Sequence, residues 1–350
     1  MPRRTIVEPS GDPLPFPDPL PPKPPPEKKI KRLRYPIWTE VKAKLIERYL
    51  YHFVLVTHHG TYIDGFAGPQ NTDDENMWAA KLVLESEPRW LRYFYLFDVD
   101  PKQVERLKRL VEQQPERDSK GRKINRKIFV EPAGDFNQKV RDLLNSNCIK
   151  PKQATFCLLD QRTTECHWPT VQALANYKLQ APSDDPADIP RKIELFYFLA
   201  VGWLGRTLAA TTKDTEPLDQ WWGGPDWQQL KGQTDWQLAE IFVNRFKNEL
   251  NYKSVMQWPI FERESGGRIM YYMIHATDHD DALGLMSRAY DQALQPKVPL
   301  PESLFEWRLP PAEKVKRRVK RMAEAAENAE SNSSNLSANS NKMRNQDAKE

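Results

Sequence analysis

The feature that most constrains this chain is a series of short apolar runs separated by segments long enough to form helices. Five such runs occur before residue 200, at Thr61 to Phe66, Tyr93 to Phe97, Ile128 to Val130, Thr155 to Leu159 and Ile193 to Leu199. Strands that alternate with helices build a parallel, doubly wound sheet. The sequence therefore predicts an α/β fold.

Two further patterns extend this prediction at its ends. Before the first run, apolar residues recur every three or four positions along one face of a helix, at Trp38, Val41, Leu45, Tyr49 and Phe53. Near the end, Val255 to Phe261 and Arg268 to His275 flank Glu264-Ser265-Gly266-Gly267, which predicts an antiparallel hairpin. Asp278 is predicted to cap the helix that follows. Five parallel strands and a terminal hairpin are the strand inventory of class I methyltransferases, and they also suit other α/β folds.

The composition indicates a folded body between two polar ends. Residues 1–35 are crowded with proline and predict a disordered, extended arm. Residues 36–310 form the predicted α/β domain. Residues 311–350 predict a basic helix followed by a disordered tail rich in serine and asparagine. The run from Lys314 to Arg321 suits a solvated helix end, with phosphate contact or partner docking as the alternative. The formal charge of +4 neither requires nor excludes a nucleic-acid partner.

Cysteine usage and hydropathy favour a cytoplasmic location. Cys148, Cys157 and Cys166 are widely spaced and contain no CxxC pair, so neither a disulfide framework nor a metal site is expected. No run of about 18 apolar residues occurs, so we expect a soluble protein without a membrane-spanning segment.

The turn after the first predicted strand reads Asp64-Gly65-Phe66-Ala67-Gly68 and is the leading candidate for a cofactor loop. Its glycines let the backbone approach a ligand closely. Asp64 is placed to accept a hydrogen bond from the ammonium group of a methionine moiety, as in S-adenosylmethionine. An ordinary tight turn between strand and helix is the alternative. A dinucleotide loop would read GxGxxG and a phosphate loop GxxxxGK[ST], and neither pattern is present.

The next two strand ends add acidic residues with further predicted roles. Asp98 is the better candidate to bind ribose hydroxyls, because Asp100 precedes Pro101 and suits a helix cap. After the third strand, Asp135 could accept from the adenine amine with Phe136 near the ring. A helix cap is an equally good interpretation of Asp135.

The fourth strand ends at Asp160, which is the leading catalytic candidate for handling a proton or a substrate. Enzymes that methylate the exocyclic amines of bases carry a [DNS]PP[aromatic] motif at this place. This chain has Gln161 and Arg162 instead of the two prolines. Trp221, Trp222 and Trp227 are interpreted as core residues of a subdomain, with base stacking as the alternative.

Taken in order, these motifs resemble the three-Cys-motif partner (TcmP) family. The resemblance runs from about residue 37 to 295 and rests on Tyr62 to Pro69, Asp98, Gly134 to Asn137, Leu159-Asp160, Trp168-Pro169-Thr170 and Tyr271 to Thr277. It implies a methyltransferase-like Rossmann domain with a helical insertion at about 205–252. It also implies S-adenosylmethionine as the cofactor and a bacterial three-cysteine, radical-SAM-like protein as partner. Gln70 and Gln161 depart from the family's usual glycine and proline.

Three functions remain open from the sequence. The leading hypothesis is a methyltransferase that acts on nucleic acid or a modified nucleoside. The alternative is a non-catalytic, methyltransferase-like partner subunit in a defence or modification system. A nucleotide-dependent oxidoreductase is third, because the GxGxxG pattern is missing.

Overall fold

The computed structural model describes residues 37–69, 77–118, 120–180, 191–263 and 266–294. All of these belong to a compact unit that begins at Pro36. The predicted arm at 1–35 and the predicted tail at 311–350 lie outside the described residues, and so does Gln70.

A mixed sheet forms the centre of the described chain, in the order β3-β2-β1-β4-β5-β7-β6. Its strands are β1 Thr61–Asp64, β2 Tyr93–Leu96, β3 Lys127–Val130, β4 Thr155–Leu159, β5 Glu194–Leu199, β6 Ser254–Arg263 and β7 Gly266–Thr277. β1 to β5 are parallel, while β7 is antiparallel to both β5 and β6. The predicted parallel sheet and the predicted hairpin are therefore confirmed.

Helices connect the strands and cover the sheet. They are α1 Ile37–Thr57, α2 Ala79–Glu85, α3 Pro101–Glu112, α4 Phe136–Asn145, α5 Trp168–Asn176, α6 Val201–Ala210, α7 Glu216–Trp222, α8 Asp235–Asn248 and α9 Ala282–Leu294. Short 3₁₀ turns follow α5 at Tyr177–Gln180 and α7 at Pro225–Leu230. None of the described helices is long and apolar enough to cross a membrane.

Alternate residues of the strands point into two separate cores. Ile63, Cys157 and Tyr197 belong to the core that includes α4, α5 and the helices from α6 to α8. Their neighbours Tyr62 and Phe156 belong to the core that includes α1 and α3. Because both faces of the central strands are buried, those strands are apolar throughout rather than alternating in polarity.

Buried tryptophans form part of the core of the helical segment between β5 and β6. Trp221, Trp222 and Trp227 are 0%, 6% and 1% exposed, so they pack in the core of this segment. The guanidinium carbon of Arg245 lies 3.8 Å from the ring centroid of Trp168 and 3.8 Å from that of Trp222. A stacked cation of this kind fixes α8 against α5 and α7.

The predicted cap of the last helix is wrong. Asp278 accepts hydrogen bonds from the backbone N–H groups of Lys253 at 3.0 Å and Lys192 at 3.3 Å. α9 begins only at Ala282. Asp278 therefore joins the starts of two strands, and a pattern within the local sequence cannot show such a long-range role.

Candidate functional site

The carboxyl ends of β1 to β4 lie at one edge of the sheet, which we call the carboxyl edge. β1 pairs in parallel with β2 on one side and with β4 on the other, so the strand order reverses between β1 and β4. Open α/β sheets bind ligands in the crevice above such a reversal. The predicted acidic residues all follow strands at this edge: Asp64 ends β1, and Asp98, Asp135 and Asp160 follow β2, β3 and β4.

Asp64 is a buried carboxyl group, 1% exposed. Its Oδ2 accepts a hydrogen bond from the Tyr62 hydroxyl at 2.7 Å, and its Oδ1 accepts one from the Phe66 N–H at 3.1 Å. Burial raises the pKa of Asp64 to about 7, the two hydrogen bonds lower it, and the charges of Asp160 and Asp98 raise it. Asp64 is therefore close to half-protonated near neutral pH, and a cation that approaches it would favour the ionised form.

Asp160 is paired with a buried lysine that the sequence analysis missed. Lys42 lies on α1, and its Nζ is 2.6 Å from Asp160 Oδ1; the two side chains are 1% and 12% exposed. The same ammonium lies 4.2 Å from the ring centroid of Tyr271 and 5.1 Å from that of Phe198. The carboxylate and the two aromatic faces compensate for the water that the lysine loses on burial. α1 is thereby connected to the carboxyl end of β4.

Hydrogen bonds to both neighbouring strands hold the loop after β1. The N–H of Gly65 donates to the carbonyl of Leu158 at 3.0 Å, and the N–H of Ala67 donates to the carbonyl of Phe97 at 2.7 Å. All backbone N–H groups from residue 65 to 68 donate within the protein. A ligand in this arrangement contacts the loop through carbonyl oxygens and side chains.

Packing inside the protein accounts for both glycines of the loop. A Cβ atom at Gly65 would lie 2.9 Å from the ring of Phe136, and one at Gly68 would lie 2.6 Å from Cβ of Gln103 and against the Asp98 carboxylate. Contacts this short force a neighbour to move. The sequence analysis assigned these glycines to the approach of a ligand, whereas here they admit an aromatic ring and a carboxylate of the chain itself.

Asp98 connects this loop to the end of β2. Its Oδ2 accepts from the N–H of Gly68 at 2.9 Å, and its Oδ1 accepts from the N–H of Asp100 at 2.9 Å. Asp100 caps α3 by accepting from the N–H of Lys102 at 2.8 Å, as the sequence predicts. Asp98 is half-buried. Each of its oxygens has a further lone pair that can accept from a ribose hydroxyl.

Asp135 is the helix cap of α4. Its Oδ1 accepts from the N–H of Asn137 at 3.0 Å, which is the alternative role given to it by the sequence. Phe136 is only 3% exposed, and its ring centroid lies 5.2 Å from that of Phe97 and 5.7 Å from that of Phe66. Phe136 thus lies in the core beneath the edge, and an adenine ring could reach its face only after this packing opens.

Asn137 lies within a motif of the sequence analysis, which assigned it no role of its own. Its Nδ2 donates to Asp135 Oδ1 at 2.9 Å and to the carbonyl of Glu165 at 2.8 Å. Its Oδ1 accepts from the N–H of His167 at 2.9 Å and from the hydroxyl of Thr170 at 2.8 Å. One buried amide therefore joins the connection after β3 to the connection after β4. The GDFN motif contains this residue, but its partners lie about 30 positions further on.

Gln161, which stands in place of a motif proline, has a structural role. It is fully buried, its Oε1 accepts from the N–H of Cys166 at 2.9 Å, and its Nε2 donates to the carbonyl of Phe198 at 3.3 Å. These bonds shape the connection that follows Asp160. Gln161 itself is therefore not placed to touch a ligand.

The buried cysteines are poor candidates for chemistry. Burial is the largest cause that raises the pKa of both the Cys157 and the Cys166 thiol far above its ordinary range. A thiol in that state is a weak nucleophile. Within the described ranges, no group of three or more His, Cys, Asp or Glu side chains could hold a metal ion.

A small cavity lies between Asp64 and Asp160, beside Thr39 of α1 and Trp78. Its volume is about 10 Å³, which is room for about one water molecule. Trp78 closes the loop side by donating from Nε1 to the carbonyl of Ala67. The carboxylates of the edge can accept hydrogen bonds from an ammonium group and from ribose hydroxyls, which are groups of the cofactor that the sequence analysis expects. A cavity of this size cannot hold a methionine moiety unless α1 or Trp78 moves.

The fold and this edge define an α/β protein with a mixed sheet and acidic side chains at the carboxyl ends of its central strands. No protein-family model matches the sequence, and no curated protein matches it. One similar solved structure is protein LPL1258 of family DUF519 from Legionella pneumophila str. Philadelphia 1. It is 10% identical with a TM-score of 0.40, and the match covers 74% of this chain and 94% of that chain. A likeness this distant carries no argument about the fold or function of this chain.

Proposed function

We propose that this chain is a methyltransferase-like protein that binds S-adenosylmethionine at the carboxyl edge. The observation that carries the proposal is the set of carboxyl groups at successive strand ends, on both sides of the reversal between β1 and β4. The five parallel strands and the terminal hairpin support it, because class I methyltransferases have this strand inventory. In the proposed complex, Asp64 binds the ammonium, Asp98 the ribose hydroxyls and Asp135 the adenine amine.

Asp160 is the residue proposed to accept a proton from the methyl acceptor. When bound, S-adenosylmethionine supplies an electrophilic methyl group. A nitrogen acceptor that takes this methyl group must lose a proton, and a carboxylate at the end of β4 can accept it. Asp160 is ion-paired with Lys42 through Oδ1, so a proton accepted by Asp160 would remove the negative charge that faces the lysine.

Calorimetric titration with S-adenosylmethionine tests the cofactor assignment. Asp98→Ala should weaken binding at least about tenfold, because hydrogen bonds to a charged group contribute about 1.5–3 kcal/mol. Asp100→Ala is the matched control, since it removes a neighbouring carboxylate whose described role is to cap α3. Circular dichroism should first show that both variants are folded. Absence of binding by the wild type, or undiminished binding by Asp98→Ala, would reject the assignment.

Dependence on pH gives a separate test of Asp64. An ammonium ligand binds the ionised carboxylate, and burial raises the pKa of Asp64 to about 7. The dissociation constant should therefore fall as pH rises toward about 7 and level off above it. Asp64→Asn should bind more weakly and lose this dependence. The same pH profile in wild type and variant would exclude Asp64 as the ammonium site.

The proposed methyl acceptor is nucleic acid or a modified nucleoside. α3 begins beside Asp98 and exposes four cations, Lys102, Arg106, Lys108 and Arg109, against two carboxylates, Glu105 and Glu112. A surplus of cations beside the site suits a phosphate backbone. Transfer of a labelled methyl group should occur to total RNA or DNA and fall when Arg106 and Arg109 are changed to Gln. Transfer to free nucleosides that is unaffected by these changes would select the nucleoside instead.

A binding protein without turnover is the second candidate, as a partner subunit of a three-cysteine, radical-SAM-like protein. The ion pair of Lys42 with Asp160 and the buried Gln161 support it, because both residues at the expected reaction centre are engaged within the protein. In that case S-adenosylmethionine binds, and Asp160→Asn leaves the cellular function intact. Loss of cellular function in Asp160→Asn, with cofactor binding retained, would favour the enzyme.

A further inference from the structure

A larger cavity lies at the opposite end of the strands, against their amino ends. α4 forms one wall, residues 147–151 before β4 form the floor, and the end of α5 with the turn Tyr177–Gln180 forms the other wall. We call it the α4–α5 groove. Its volume is about 670 Å³, within the range of about 300–1,000 Å³ for small-ligand sites. None of the residues predicted for the cofactor site lines this groove.

The described lining of the groove carries positive charge only. Arg141, Lys150 and Lys178 line it, and no Asp or Glu among the described residues does. Arg141 and Lys150 are exposed, so their charges are accessible to a ligand. No hydrogen bond or ion pair of the described chain engages the guanidinium of Arg141. Lysine and arginine grouped without a carboxylate suit an anion, and arginine can bind a phosphate through two parallel hydrogen bonds.

Lys178 makes the electrostatic case stronger. It is 2% exposed, and its Nζ donates to the carbonyl of Gln153. Burial lowers the pKa of Lys178 to about 8, and Glu194 raises it. Oε1 of Glu194 also accepts from the Tyr49 hydroxyl and lies 2.6 Å from Nε2 of His275. Lys178 therefore adds positive charge beside the groove, while the exposed Arg141 and Lys150 are the cations that a ligand can contact directly.

The rest of the lining suits a ligand that is partly apolar. Three side-chain amides can donate hydrogen bonds, those of Asn145, Asn147 and Gln180. The half-buried Ala173 and Tyr177 provide apolar surface, whereas Leu144 and Ile149 are almost fully buried. The hydroxyl of Tyr177 donates to the carbonyl of Ile149 at 3.0 Å, which holds its ring at the wall of the groove. A phosphate joined to a planar or apolar body would contact both the charged and the apolar parts of this lining.

We propose that the α4–α5 groove binds a small phosphate ester of nucleotide size. Its phosphate binds the exposed Arg141 and Lys150, with the charge of Lys178 nearby, and its planar portion lies against Ala173 and Tyr177. This site is independent of the proposed S-adenosylmethionine site, since that cofactor carries no phosphate and the groove lies at the other edge of the sheet.

Calorimetric titration of the full chain with AMP and UMP tests the proposal, with adenosine and uridine as probes that lack the phosphate. The variant Arg141→Gln/Lys150→Gln removes two exposed cations and leaves the buried Lys178 in place. The control variant Lys44→Gln/Arg48→Gln makes the same change of charge at two exposed positions of α1, to which no binding role is assigned. We expect the groove variant to bind a nucleotide about tenfold or more weakly, and the control to stay within about twofold of wild type.

Each other outcome would overturn the proposal. The proposal fails if neither nucleotide binds saturably at millimolar concentration, or if the nucleosides bind as tightly as the nucleotides. It also fails if the groove variant and the α1 control weaken binding equally, which would indicate non-specific charge attraction. A short single-stranded oligonucleotide that binds where mononucleotides do not would make the groove part of a nucleic-acid surface instead. Excess S-adenosylmethionine should not compete with AMP, so failure here and failure of the cofactor proposal are distinguishable.

Discussion

The buried ion pair between α1 and the end of β4 allows a quantitative prediction. Lys42→Met keeps the length and apolar stem of the side chain and removes its charge. Breaking one partner of a buried pair costs about 3–5 kcal/mol. Asp160 is 12% exposed and can regain some water, whereas Lys42 is 1% exposed. We therefore expect Lys42→Met to lower the free energy of unfolding by about 3 kcal/mol and Asp160→Asn to lower it by about 4 kcal/mol.

The double variant separates a coupled pair from two independent losses. Lys42→Met/Asp160→Asn removes both charges of the pair, so it should lose no more than the larger single variant, about 4 kcal/mol, which gives a coupling energy of at least about 3 kcal/mol. Urea-induced unfolding measured by both tryptophan fluorescence and circular dichroism gives these energies. Lys44→Met is the matched control on the same helix, because the Lys44–Glu40 pair is largely exposed, at 51% and 38%. It should change the free energy by less than about 0.5 kcal/mol.

Two results would refute this reasoning. If the loss in the double variant equals the sum of the single losses, Lys42 and Asp160 do not interact in solution. If Lys42→Met costs no more than Lys44→Met, the lysine is not buried.

Three other changes test separate parts of the site. Burial raises the pKa of Asp64 from 3.8 to about 7, so the folded state keeps the proton on Asp64 to a higher pH than the unfolded state does. Relative to Asp64→Asn, the free energy of unfolding of the wild type should therefore fall by up to about 4 kcal/mol between pH 4 and 7. Parallel pH profiles of urea unfolding for the two proteins would contradict this. Asn137→Ala should lower the free energy of unfolding by about 3 kcal/mol, because it leaves buried partners unpaired. Asn137→Asp should be no more stable, because a carboxylate cannot donate a hydrogen bond. An unchanged melting temperature in either variant would show that these bonds contribute little. Gly65→Ala should destabilise the protein by about 1–3 kcal/mol, because the added methyl group contacts Phe136. Gly205→Ala has open space around it in α6 and should stabilise the protein by up to about 1 kcal/mol. Equal effects of the two substitutions would reject the packing argument.

The positions of the strands could be predicted because buried strands have an apolar local sequence. β4 has the predicted bounds Thr155–Leu159, and the central strands bury both faces, so each appears as an apolar run. β1 ends at Asp64, two residues earlier than predicted, because the chain turns at Gly65. The hairpin strands extend beyond the predicted ends, since their outer residues pair through the backbone whatever their side chains are.

The contacts that shape the site could not be predicted, because they join residues distant in sequence. A lysine beside Val41 on a helix ordinarily faces solvent, yet Lys42 meets a carboxylate 118 positions later. Asn137 lies inside the motif Gly134 to Asn137, but its side-chain oxygen Oδ1 accepts hydrogen bonds from groups that follow another strand. Glu194 stands within the apolar run Ile193 to Leu199, and its partners come from α1 and β7. Tertiary structure alone brings such partners together.

The two carboxyl groups nearest the reversal of strand order differ in their partners, and this affects binding and turnover differently. The described hydrogen bonds of Asp64 come from a hydroxyl and an N–H, both neutral, so a ligand ammonium would be its first close cation. Asp160 already faces the ammonium of Lys42. If Asp160 accepts a proton from a methyl acceptor, it loses the charge that compensates Lys42, and a buried ammonium without a partner is costly. In the proposed complex, binding at Asp64 does not require the Lys42–Asp160 pair to lose a charge, whereas proton transfer to Asp160 does. In a methyltransferase built on this site, the step from binding to catalysis would therefore depend on Lys42.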